Sequence, residues 1–258
     1  MGFGRLGEAI ARGLINAGYD GSSILVYDKS NGALERARSL GLRVLGSARD
    51  VCSDSTAVFV SVKPGDVEEV LRGLSDVASG KVVFSTAALV PLERLSKALG
   101  TSGGLYRVMP NIMVKVNKGF IGVAPPRRER RVEGLLSLLG EVVWVEEEVL
   151  DMLTLASAST PAVVAELADA ILLSALKLGV PYDVARRATA SVLEGVGALL
   201  RHENSSSLRD SVITPGGVTI RMIEKLYSSG AKAKLLEALS LAMDEYRAML
   251  TEFRSRRQ

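Results

Sequence analysis

The 258-residue chain is poor in the residues on which much enzyme chemistry depends, since it contains one cysteine and one histidine. A lone Cys52 excludes an intrachain disulfide and any metal site built from several cysteines. Its neighbours Asp50 and Asp54 give it an acidic setting that does not activate a thiol. With His202 as the one histidine, we do not consider Ser-His-Asp triads or histidine-rich zinc sites further, and we predict no metal site.

Charge of one sign and uninterrupted apolar runs are also scarce. The formal net charge is +3, and the arginine clusters at residues 127–131 and 254–257 are short, so nucleic acid is not an expected partner. The longest apolar stretch, residues 161–180, contains charged side chains and predicts a buried helix rather than a membrane span. No signal-peptide pattern opens the sequence, and we therefore expect a cytoplasmic protein without a membrane partner.

The first part of the chain, to about residue 147, alternates β-rich runs with helical patterns. The strand candidates are residues 24–27, 57–62, 81–85, 105–109, 120–123 and 142–145, and the helix candidates between them are 31–40, 65–77, 91–99 and 129–139. Such alternation predicts a parallel sheet covered by helices on both faces.

From residue 148 to the end the pattern is helical, with breaks predicted at residues 159–161, 179–181, 204–207, 215–217 and 228–230. Several of these helices are apolar on more than one face, and a helical domain of this length has little interior in which to bury them. A subunit interface is the expected cover, so we predict a homo-oligomer, at least a dimer.

A glycine loop stands at the very start of the chain. The run Gly2-Phe3-Gly4-Arg5-Leu6-Gly7 matches G-x-G-x-x-G and leads directly into a helical pattern from Glu8. In this motif the glycines permit a tight turn, close approach of a pyrophosphate, and packing of helix on strand. The next strand ends in Asp28, where an acidic side chain usually binds the adenosine ribose. The pattern predicts a Rossmann-like domain that binds a dinucleotide.

The strand that should lead into this loop is absent, because Met1 directly precedes the first glycine. We expect its loss to leave neighbouring strands with unpaired backbone groups. One interpretation is a start site placed too late, with about six residues, one strand's length, lying upstream. The other is that the chain as written folds with a gap and binds its cofactor poorly.

A second glycine turn lies near the end of the chain, at Thr214-Pro215-Gly216-Gly217-Val218-Thr219. A helical pattern follows, so the amides of these residues are expected at a helix N-terminus, where a carboxylate binds well. The two threonine hydroxyls add neutral donors. The pattern predicts a pocket for a small anionic substrate, and a helix cap without a ligand is the alternative.

Six motifs occur together in a specific order. They are the glycine loop, Ser61-Val-Lys-Pro64, Ser85-Thr-Ala-Ala88, Arg107-Val-Met-Pro-Asn111, Lys177-Leu-Gly-Val-Pro181 and the turn at residues 214–219. With these motifs the chain resembles the pyrroline-5-carboxylate reductase family over essentially its whole length. The resemblance implies NAD(P)H-dependent reduction of 1-pyrroline-5-carboxylate to L-proline, by hydride transfer to the C=N carbon in the last step of proline biosynthesis.

The resemblance also implies a site. The cofactor, NADPH or NADH, would contact Gly2, Gly4, Arg5, Leu6, Gly7, Asp28, Lys29, Ser30, Val62, Lys63, Pro64, Ala87, Ala88 and Asn111. The substrate would contact Glu203, Thr214, Gly216, Gly217, Val218 and Thr219, with the Thr219 hydroxyl on the ring nitrogen as the catalytic contact. Asp28 favours NADH, whereas Lys29 and Ser30 could bind a 2′-phosphate, so both cofactors stay open.

The expected architecture is therefore α/β. A Rossmann-like dinucleotide-binding domain is expected at residues 1–147, with its first strand missing or truncated. It precedes an all-helical substrate and dimerisation domain at residues 148–258. Family members dimerise through the helical domain, and some stack into rings of five dimers. This chain departs from the family at Ser157-Ala-Ser-Thr-Pro-Ala162, usually a glycine-rich turn, and at Ile112-Met113, Ala48 and Leu89.

Two other classes of function stay open. One is a different two-domain dehydrogenase, of the 3-hydroxyacid type or another imine reductase. The 3-hydroxyacid type needs a lysine on the helix facing the nicotinamide, and Lys177, near the end of its helix, is badly placed for that role. The other class is a dinucleotide-binding protein without turnover.

Overall fold

The computed structural model describes residues 1–100 and 104–255, which divide into two compact units. The first unit comprises Met1–Thr160 together with the chain from Met249 onward, and the second comprises Pro161–Ala248. The division into units does not test the domain boundary that we predict between residues 147 and 148, which stays a prediction.

The first unit alternates strands and helices. Its strands are β1 (Leu25–Val26), β2 (Arg43–Val44), β3 (Ala57–Val60), β4 (Val82–Ser85), β5 (Leu105–Pro110), β6 (Gly119–Ala124) and β7 (Gly140–Trp144). Its helices are α1 (Arg5–Asn16), α2 (Asn31–Ser39), α3 (Ala48–Ser53), α4 (Val67–Arg72), α5 (Leu92–Leu99), α6 (Arg130–Ser137) and α7 (Glu147–Leu153), with 3₁₀ turns at Gly21–Ser23 and Ile112–Val116. The short elements β2 and α3 were not predicted.

The strands form a five-stranded sheet in the order β3-β4-β5-β6-β7 and a separate pair, β1-β2. The parallel sheet expected from the alternation is confirmed at every pair except β5-β6, which is antiparallel. The physical reason lies in the connection, because only the 3₁₀ turn Ile112–Val116 joins these strands, whereas a parallel pair needs a crossover of a dozen or more residues.

Alternate residues of the sheet enter two apolar cores. In β4, Val83 packs on the side of α4 and α5 with Leu71 and Leu95, while Phe84 packs on the side of α1 and α6 with Ile10 and Leu136. This period of two is what a sheet covered by helices on both faces requires. The core therefore fixes both the sheet and the helix α1 that follows the glycine loop.

The second unit is helical. It contains α8 (Thr160–Lys177), α9 (Tyr182–Leu199), α10 (Ser205–Val212), α11 (Val218–Ser228) and most of α12 (Ala231–Ser255). The end of α12 returns to the first unit, where Arg254 bonds Asp151 at 2.7 Å and Phe253 lies beneath the Arg94 guanidinium.

The helix break predicted at residues 159–161 is wrong. The helix continues as a π-helical turn at Thr154–Ser159, just before Pro161. Proline cannot donate to the preceding turn, and side-chain hydroxyls accommodate the widened helix by donating to its carbonyls. Thr160 donates to the carbonyls of Leu155 and Ala156, and Ser157 to that of Leu153.

The apolar helix predicted to be buried is not buried within one chain. The helical run Glu147–Lys177 is long and apolar enough, by length and composition alone, to cross a membrane. An 18-residue stretch of it has a mean hydropathy of 1.5 and contains no buried residue. Val164, Leu167 and Ile171 are among its exposed side chains. So much exposed apolar surface on one helix needs a cover from outside the chain.

Candidate active site

The glycines of the first loop have different neighbours. A Cβ added at Gly2, where φ is +77°, would lie 2.5 Å from the Ser61 carbonyl oxygen, and one at Gly7 would lie 2.1 Å from the Gly2 carbonyl oxygen. At Gly4, by contrast, no atom lies within 4 Å of such a Cβ. Gly2 and Gly7 therefore close the turn, while Gly4 leaves open space where a pyrophosphate can approach.

The helix that follows the loop presents free amides to that space. Gly4 is its N-cap, with the Glu8 amide donating to the Gly4 carbonyl at 2.9 Å and no side chain capping the end. The amides of Arg5, Leu6 and Gly7 consequently have no acceptor within the helix. Together with the helix dipole they form a cradle for an anionic group, which fits a dinucleotide pyrophosphate.

The Asp28 carboxylate ties the loop to the end of β1. One of its oxygens accepts from the Phe3 amide at 2.6 Å and the other from the Ser30 amide at 2.8 Å. Each oxygen keeps a further lone pair with which a ribose hydroxyl could be bound. Asp28 thus orders the loop in addition to its predicted role.

Two residues missed by the sequence reasoning support the loop from the other side. Arg36 donates to the Phe3 carbonyl at 3.2 Å and also to Glu8. Glu8 accepts from Arg12 as well, and the two guanidiniums, Arg12 foremost, hold the pKa of its carboxyl below the ordinary value. The i, i+4 spacing of Glu8 and Arg12 was readable in the sequence, whereas the contact from α2 was not.

Most of the other predicted cofactor residues lie where parallel strands end. Lys29 and Ser30 follow β1, Val62, Lys63 and Pro64 follow β3, and Ala87 and Ala88 follow β4. Because the carboxyl ends of parallel strands share one edge, the structure brings these positions to the edge that holds the glycine loop, where nucleotides bind in such sheets. Lys29, Ser30 and Lys63 are exposed there, and Ala87 is buried.

Asn111 has a structural role in addition to its predicted one. It is buried at the end of β5, and its side-chain oxygen accepts from the Phe120 amide at 3.2 Å. The Asn111 backbone amide donates in turn to the Phe120 carbonyl. Asn111 therefore fixes the antiparallel connection between β5 and β6, and its contact with the cofactor stays a prediction.

An arginine is wholly buried in the same sheet. Arg107 in β5 donates to Glu147 at 2.5 Å and to Asp151 at 2.7 Å, and Asp151 also accepts from Arg254 at 2.7 Å. Burial of a guanidinium is tolerated only when carboxylates pair with it. These pairs lock β5 to α7 and to the end of α12. The sequence showed an arginine inside an apolar strand, which signals a buried partner without naming it.

The second unit holds the predicted substrate turn. The Gly217 amide donates to the Thr214 carbonyl at 3.0 Å, and Gly216 between them has φ of +72°. With Pro215 at the second position, this is the pattern of a type II turn, which needs glycine at its third position. A Cβ on Gly217 would lie 2.2 Å from the Thr214 hydroxyl oxygen, so a larger residue there would force the Thr214 side chain to move.

Helix α11 begins directly after this turn, and its first backbone amides make no hydrogen bond within the helix. Gly217 is the N-cap of α11, and no side chain caps that end. The amides of Val218 and Thr219 therefore point out of the helix beside two threonine side chains, Thr214 exposed and Thr219 half-buried. The structure brings these predicted substrate residues together as a second anion cradle.

Glu203 stands apart from this cradle. It follows α9, where its amide donates to the Leu199 carbonyl at 3.0 Å. Among the hydrogen bonds of the residues that the structure describes, none joins Glu203 to the turn at Thr214 or to Thr219. Its contact with the substrate stays a prediction.

The titratable groups offer little acid–base chemistry. No group of three or more histidine, cysteine or acidic side chains that could hold a metal ion occurs within residues 1–100 and 104–255. Cys52 is buried, and this burial raises the pKa of its thiol. The arrangement is therefore suited to bind and orient two anionic ligands, rather than to move protons through a relay.

Two family models match the chain. "Pyrroline-5-carboxylate reductase dimerisation" matches residues 147–249, and "NADP oxidoreductase coenzyme F420-dependent" matches residues 1–89. Together they cover the two cradles described above.

Curated relatives and solved structures agree with these matches. A pyrroline-5-carboxylate reductase of Aquifex aeolicus is 31% identical over 247 residues, covering 93% of this chain and 92% of the relative. One from Escherichia coli is 30% identical, with 95% of each chain covered. The structure of a pyrroline-5-carboxylate reductase from Coxiella burnetii superposes with a TM-score of 0.80 at 26% identity over 96% of each chain. A Plasmodium falciparum pyrroline carboxylate reductase with NADP bound reaches the same TM-score at 20% identity, again over 96% of each chain.

Proposed function

Since this chain belongs to the pyrroline-5-carboxylate reductase family, we propose that it binds its cofactor and its substrate at the two cradles of free backbone amides. The protein is an NAD(P)H-dependent oxidoreductase that reduces 1-pyrroline-5-carboxylate to proline. The first cradle, at Gly4–Gly7, receives the cofactor pyrophosphate, and the second, at Gly217–Thr219, receives the substrate carboxylate. The open space at Gly4, between two glycines that the fold itself requires, is the observation that carries the assignment.

The residues of the second cradle can perform the work that imine reduction asks of a protein. When bound, the reduced nicotinamide supplies the hydride that adds to the C=N carbon. The amides of Val218 and Thr219 hold the substrate carboxylate, with the Thr214 hydroxyl as a further donor. The Thr219 hydroxyl oxygen accepts a hydrogen bond from the protonated ring nitrogen and so orients the C=N bond. No proton relay is needed, because the imine is already protonated when it reacts.

The ribose end of the cofactor site is built to accept either cofactor. Asp28 offers its spare lone pairs to the ribose hydroxyls, which suits NADH. The exposed side chains of Lys29 and Ser30 stand next to it and can bind the 2′-phosphate of NADPH. We therefore propose use of both cofactors.

The helical part of the chain forms an oligomer, and we propose that its first level is a dimer built on α8 and α9. The family model that matches this region describes dimerisation, and the apolar side chains exposed on both helices supply the surface. We also propose that these dimers assemble further into a ring. A cytoplasmic location, without nucleic acid or membrane as partner, also stays a prediction.

The test of the proposed site is NADPH oxidation by the purified chain with 1-pyrroline-5-carboxylate, comparing the parent with Thr219→Val. Loss of one hydrogen bond to a charged ring nitrogen should lower kcat/KM by roughly 10- to 100-fold. The dissociation constant of NADPH should not change, because Thr219 belongs to the other cradle.

The matched control is Ser228→Ala, at the opposite end of α11. The Ser228 hydroxyl donates to the Lys225 carbonyl of the same helix, at 3.3 Å, so this variant should keep the parental kcat/KM. Equal activity in the parent and Thr219→Val would remove Thr219 from the proposed site.

A further inference from the structure

A leucine adopts a left-handed backbone conformation in the loop between β4 and α5. Leu89 has φ of +71°. Residues with a bulky side chain rarely adopt this conformation, because the Cβ atom then lies too close to the following carbonyl oxygen. Such strain is found mainly at functional sites, and it persists only where the surrounding structure holds the backbone. The contacts on either side of Leu89 should therefore fix this loop.

The same loop contains two of the predicted cofactor residues. Ala87 and Ala88 directly precede Leu89, just after the carboxyl end of β4. The glycine loop lies between the ends of β1 and β3, because the backbone at its start hydrogen-bonds to Tyr27 after β1 and to Ser61 after β3. Under the proposed function the adenosine ribose lies at β1, which leaves the side of β3 and β4 for the nicotinamide half of the cofactor.

The neighbouring strand β3 holds the first end of the loop. The Thr86 amide donates to the Val60 carbonyl at 3.1 Å, and the Thr86 hydroxyl donates to the same carbonyl at 3.4 Å. Ala87 follows directly and is buried in the core on the side of α4 and α5. The chain before Leu89 is thus tied to the sheet.

A carboxylate on α7 holds the other end of the loop. Glu147 accepts from the Leu92 amide at 2.6 Å. Leu92 is the first residue of α5, so no carbonyl of its own helix can accept from that amide. The same Glu147 oxygen accepts from the buried Arg107 at 2.5 Å, which fixes the carboxylate in place. A charged acceptor at a helix N-terminus makes a stronger bond than a neutral one.

Helix α7 also supports the middle of the loop. Ala88 packs against a buried apolar cluster to which α7 contributes Leu150. Leu150 lies three residues after Glu147 and therefore on the same face of the helix. Helix α7 consequently supports the loop on both sides of Leu89.

We propose that Glu147 is a positioning residue for the cofactor. Through its bond to the Leu92 amide it keeps Leu89 at positive φ, and so it sets where Ala87 and Ala88 meet the nicotinamide half. This inference rests on the proposed cofactor site. Without the carboxylate, the loop would relax toward negative φ at Leu89 and displace the two alanines. A glycine at position 89 adopts positive φ without strain and would make the carboxylate dispensable.

A double-mutant cycle on the dissociation constant of NADPH, measured by fluorescence titration, tests this proposal. Glu147→Ala should weaken NADPH binding at least about tenfold, because binding must then force Leu89 back to positive φ. In a chain that carries Leu89→Gly, the same substitution should weaken binding about threefold or less, since glycine needs no such force. An equal loss with and without Leu89→Gly would overturn the proposal, because a general loss of stability acts alike in both chains.

Two further variants make the cycle decisive. Glu148→Ala is the matched control, since Glu148 is exposed in the same turn of α7 and should keep the parental dissociation constant. Gly4→Ala separates the failure of this inference from the failure of the proposed function. If Gly4→Ala weakens NADPH binding while the cycle shows no coupling, the cofactor site stands and the role of Glu147 is wrong.

Hydrogen exchange of the Leu92 amide reports the bond itself in the absence of cofactor. Exchange should be at least about tenfold faster in Glu147→Ala than in the parent or in Glu148→Ala, and unchanged exchange would contradict the role of Glu147. Should Glu147→Ala not fold, Glu147→Asp completes the cycle. Aspartate keeps the charge beside Arg107, but its shorter side chain draws the oxygen away from the Leu92 amide. Its loss of NADPH affinity should likewise disappear in the chain with Leu89→Gly, and a loss that remains there would overturn the proposal.

Discussion

At the scale of single residues, Gly4 and Gly7 separate two requirements that the glycine motif combines. The position of Gly7 is fixed by packing, since a Cβ there would meet the Gly2 carbonyl oxygen at 2.1 Å. The position of Gly4 is open, so only a ligand can require glycine there. The two substitutions should therefore fail in different ways.

Gly4→Ala should fold with nearly the parental Tm but bind NADPH at least about tenfold more weakly, because its methyl group occupies the approach of the pyrophosphate. Gly7→Ala should lower the free energy of unfolding by about 2 kcal/mol or more, through a backbone clash. Thermal unfolding and fluorescence titration with NADPH measure both effects. A Gly4→Ala chain that binds NADPH as the parent does would show that the pyrophosphate lies elsewhere.

The buried Arg107 makes Asp151 a sensitive position. Asp151→Ala removes the carboxylate from a guanidinium that is fully buried, and such a loss costs about 3–5 kcal/mol. The control is Glu93→Ala, which breaks an exposed pair with Lys97 and should change stability little. Chemical denaturation provides the measurement, and a similar midpoint for both variants would contradict the role given to the buried pair.

Which site residues could be predicted depends on how local their signals are. The turn at Thr214 and the glycine loop carry their geometry in adjacent residues, and both were predicted. The partners of Arg107 could not be, because Glu147 and Asp151 approach it only when α7 packs on β5. The support of the glycine loop by Arg36 is likewise a contact between elements.

At the scale of elements, a glycine with positive φ lies before α11 and another lies after it. Gly216 before the helix and Gly230 after it have φ of +72° and +68°, and neither would bring a Cβ within 4 Å of another atom. Alanine should cost a similar strain of about 1 kcal/mol at either position. Only Gly216 belongs to the turn that directs amides at the substrate.

Gly216→Ala should therefore raise the KM for 1-pyrroline-5-carboxylate about tenfold and leave the KM for NADPH unchanged. Gly230→Ala should match it in Tm and keep both parental KM values. Steady-state kinetics with each substrate varied in turn decides the matter. Equal KM values in the two variants would mean that the turn does not bind the carboxylate.

The elements that sequence reasoning placed wrongly have a common cause. Proline at 161 predicted a break, but hydroxyls from Ser157 and Thr160 satisfy the carbonyls of a widened turn. β2 has two residues and is too short to show any periodicity. The reversed direction of β6 depends on the length of one connection. None of these three outcomes is encoded in the local hydrophobic pattern.

At the scale of the whole molecule, exposed apolar side chains on α8 and α9 should control assembly. Leu167→Glu places a charge on the face that the proposed dimer covers, which disfavours association because the charge would lose its water there. Light scattering should give half the parental mass or less. Val116→Glu, at an equally exposed apolar residue in the first unit, should keep the parental mass. An unchanged mass for Leu167→Glu would move the interface away from α8.

The stability of the whole chain should also depend on pH through its first residue. The Met1 amino group is buried, and its pKa falls from 8.0 to about 6 on folding. The folded state therefore binds fewer protons than the unfolded chain between these values, so the free energy of unfolding must fall as the pH is lowered through this window. Below pH 6 the buried amino group should lower the free energy of unfolding by about 3 kcal/mol, and above pH 8 it should have no such effect.

Acetylation of the Met1 amino group isolates this contribution, because it removes the titrating charge and keeps an N–H donor for the Phe59 carbonyl. Denaturation curves of the free and acetylated chains should separate progressively from pH 8 to pH 6, with the acetylated chain the more stable. A cavity of about 440 Å³ that Met1 helps to line has room for the acetyl group, so its bulk should not offset the gain. Parallel stability curves across this range would mean that the amino group is hydrated in the folded chain. The Met1 amino group would then be exposed to water, in conflict with the bonds that join Met1 to Phe59 and Ser61.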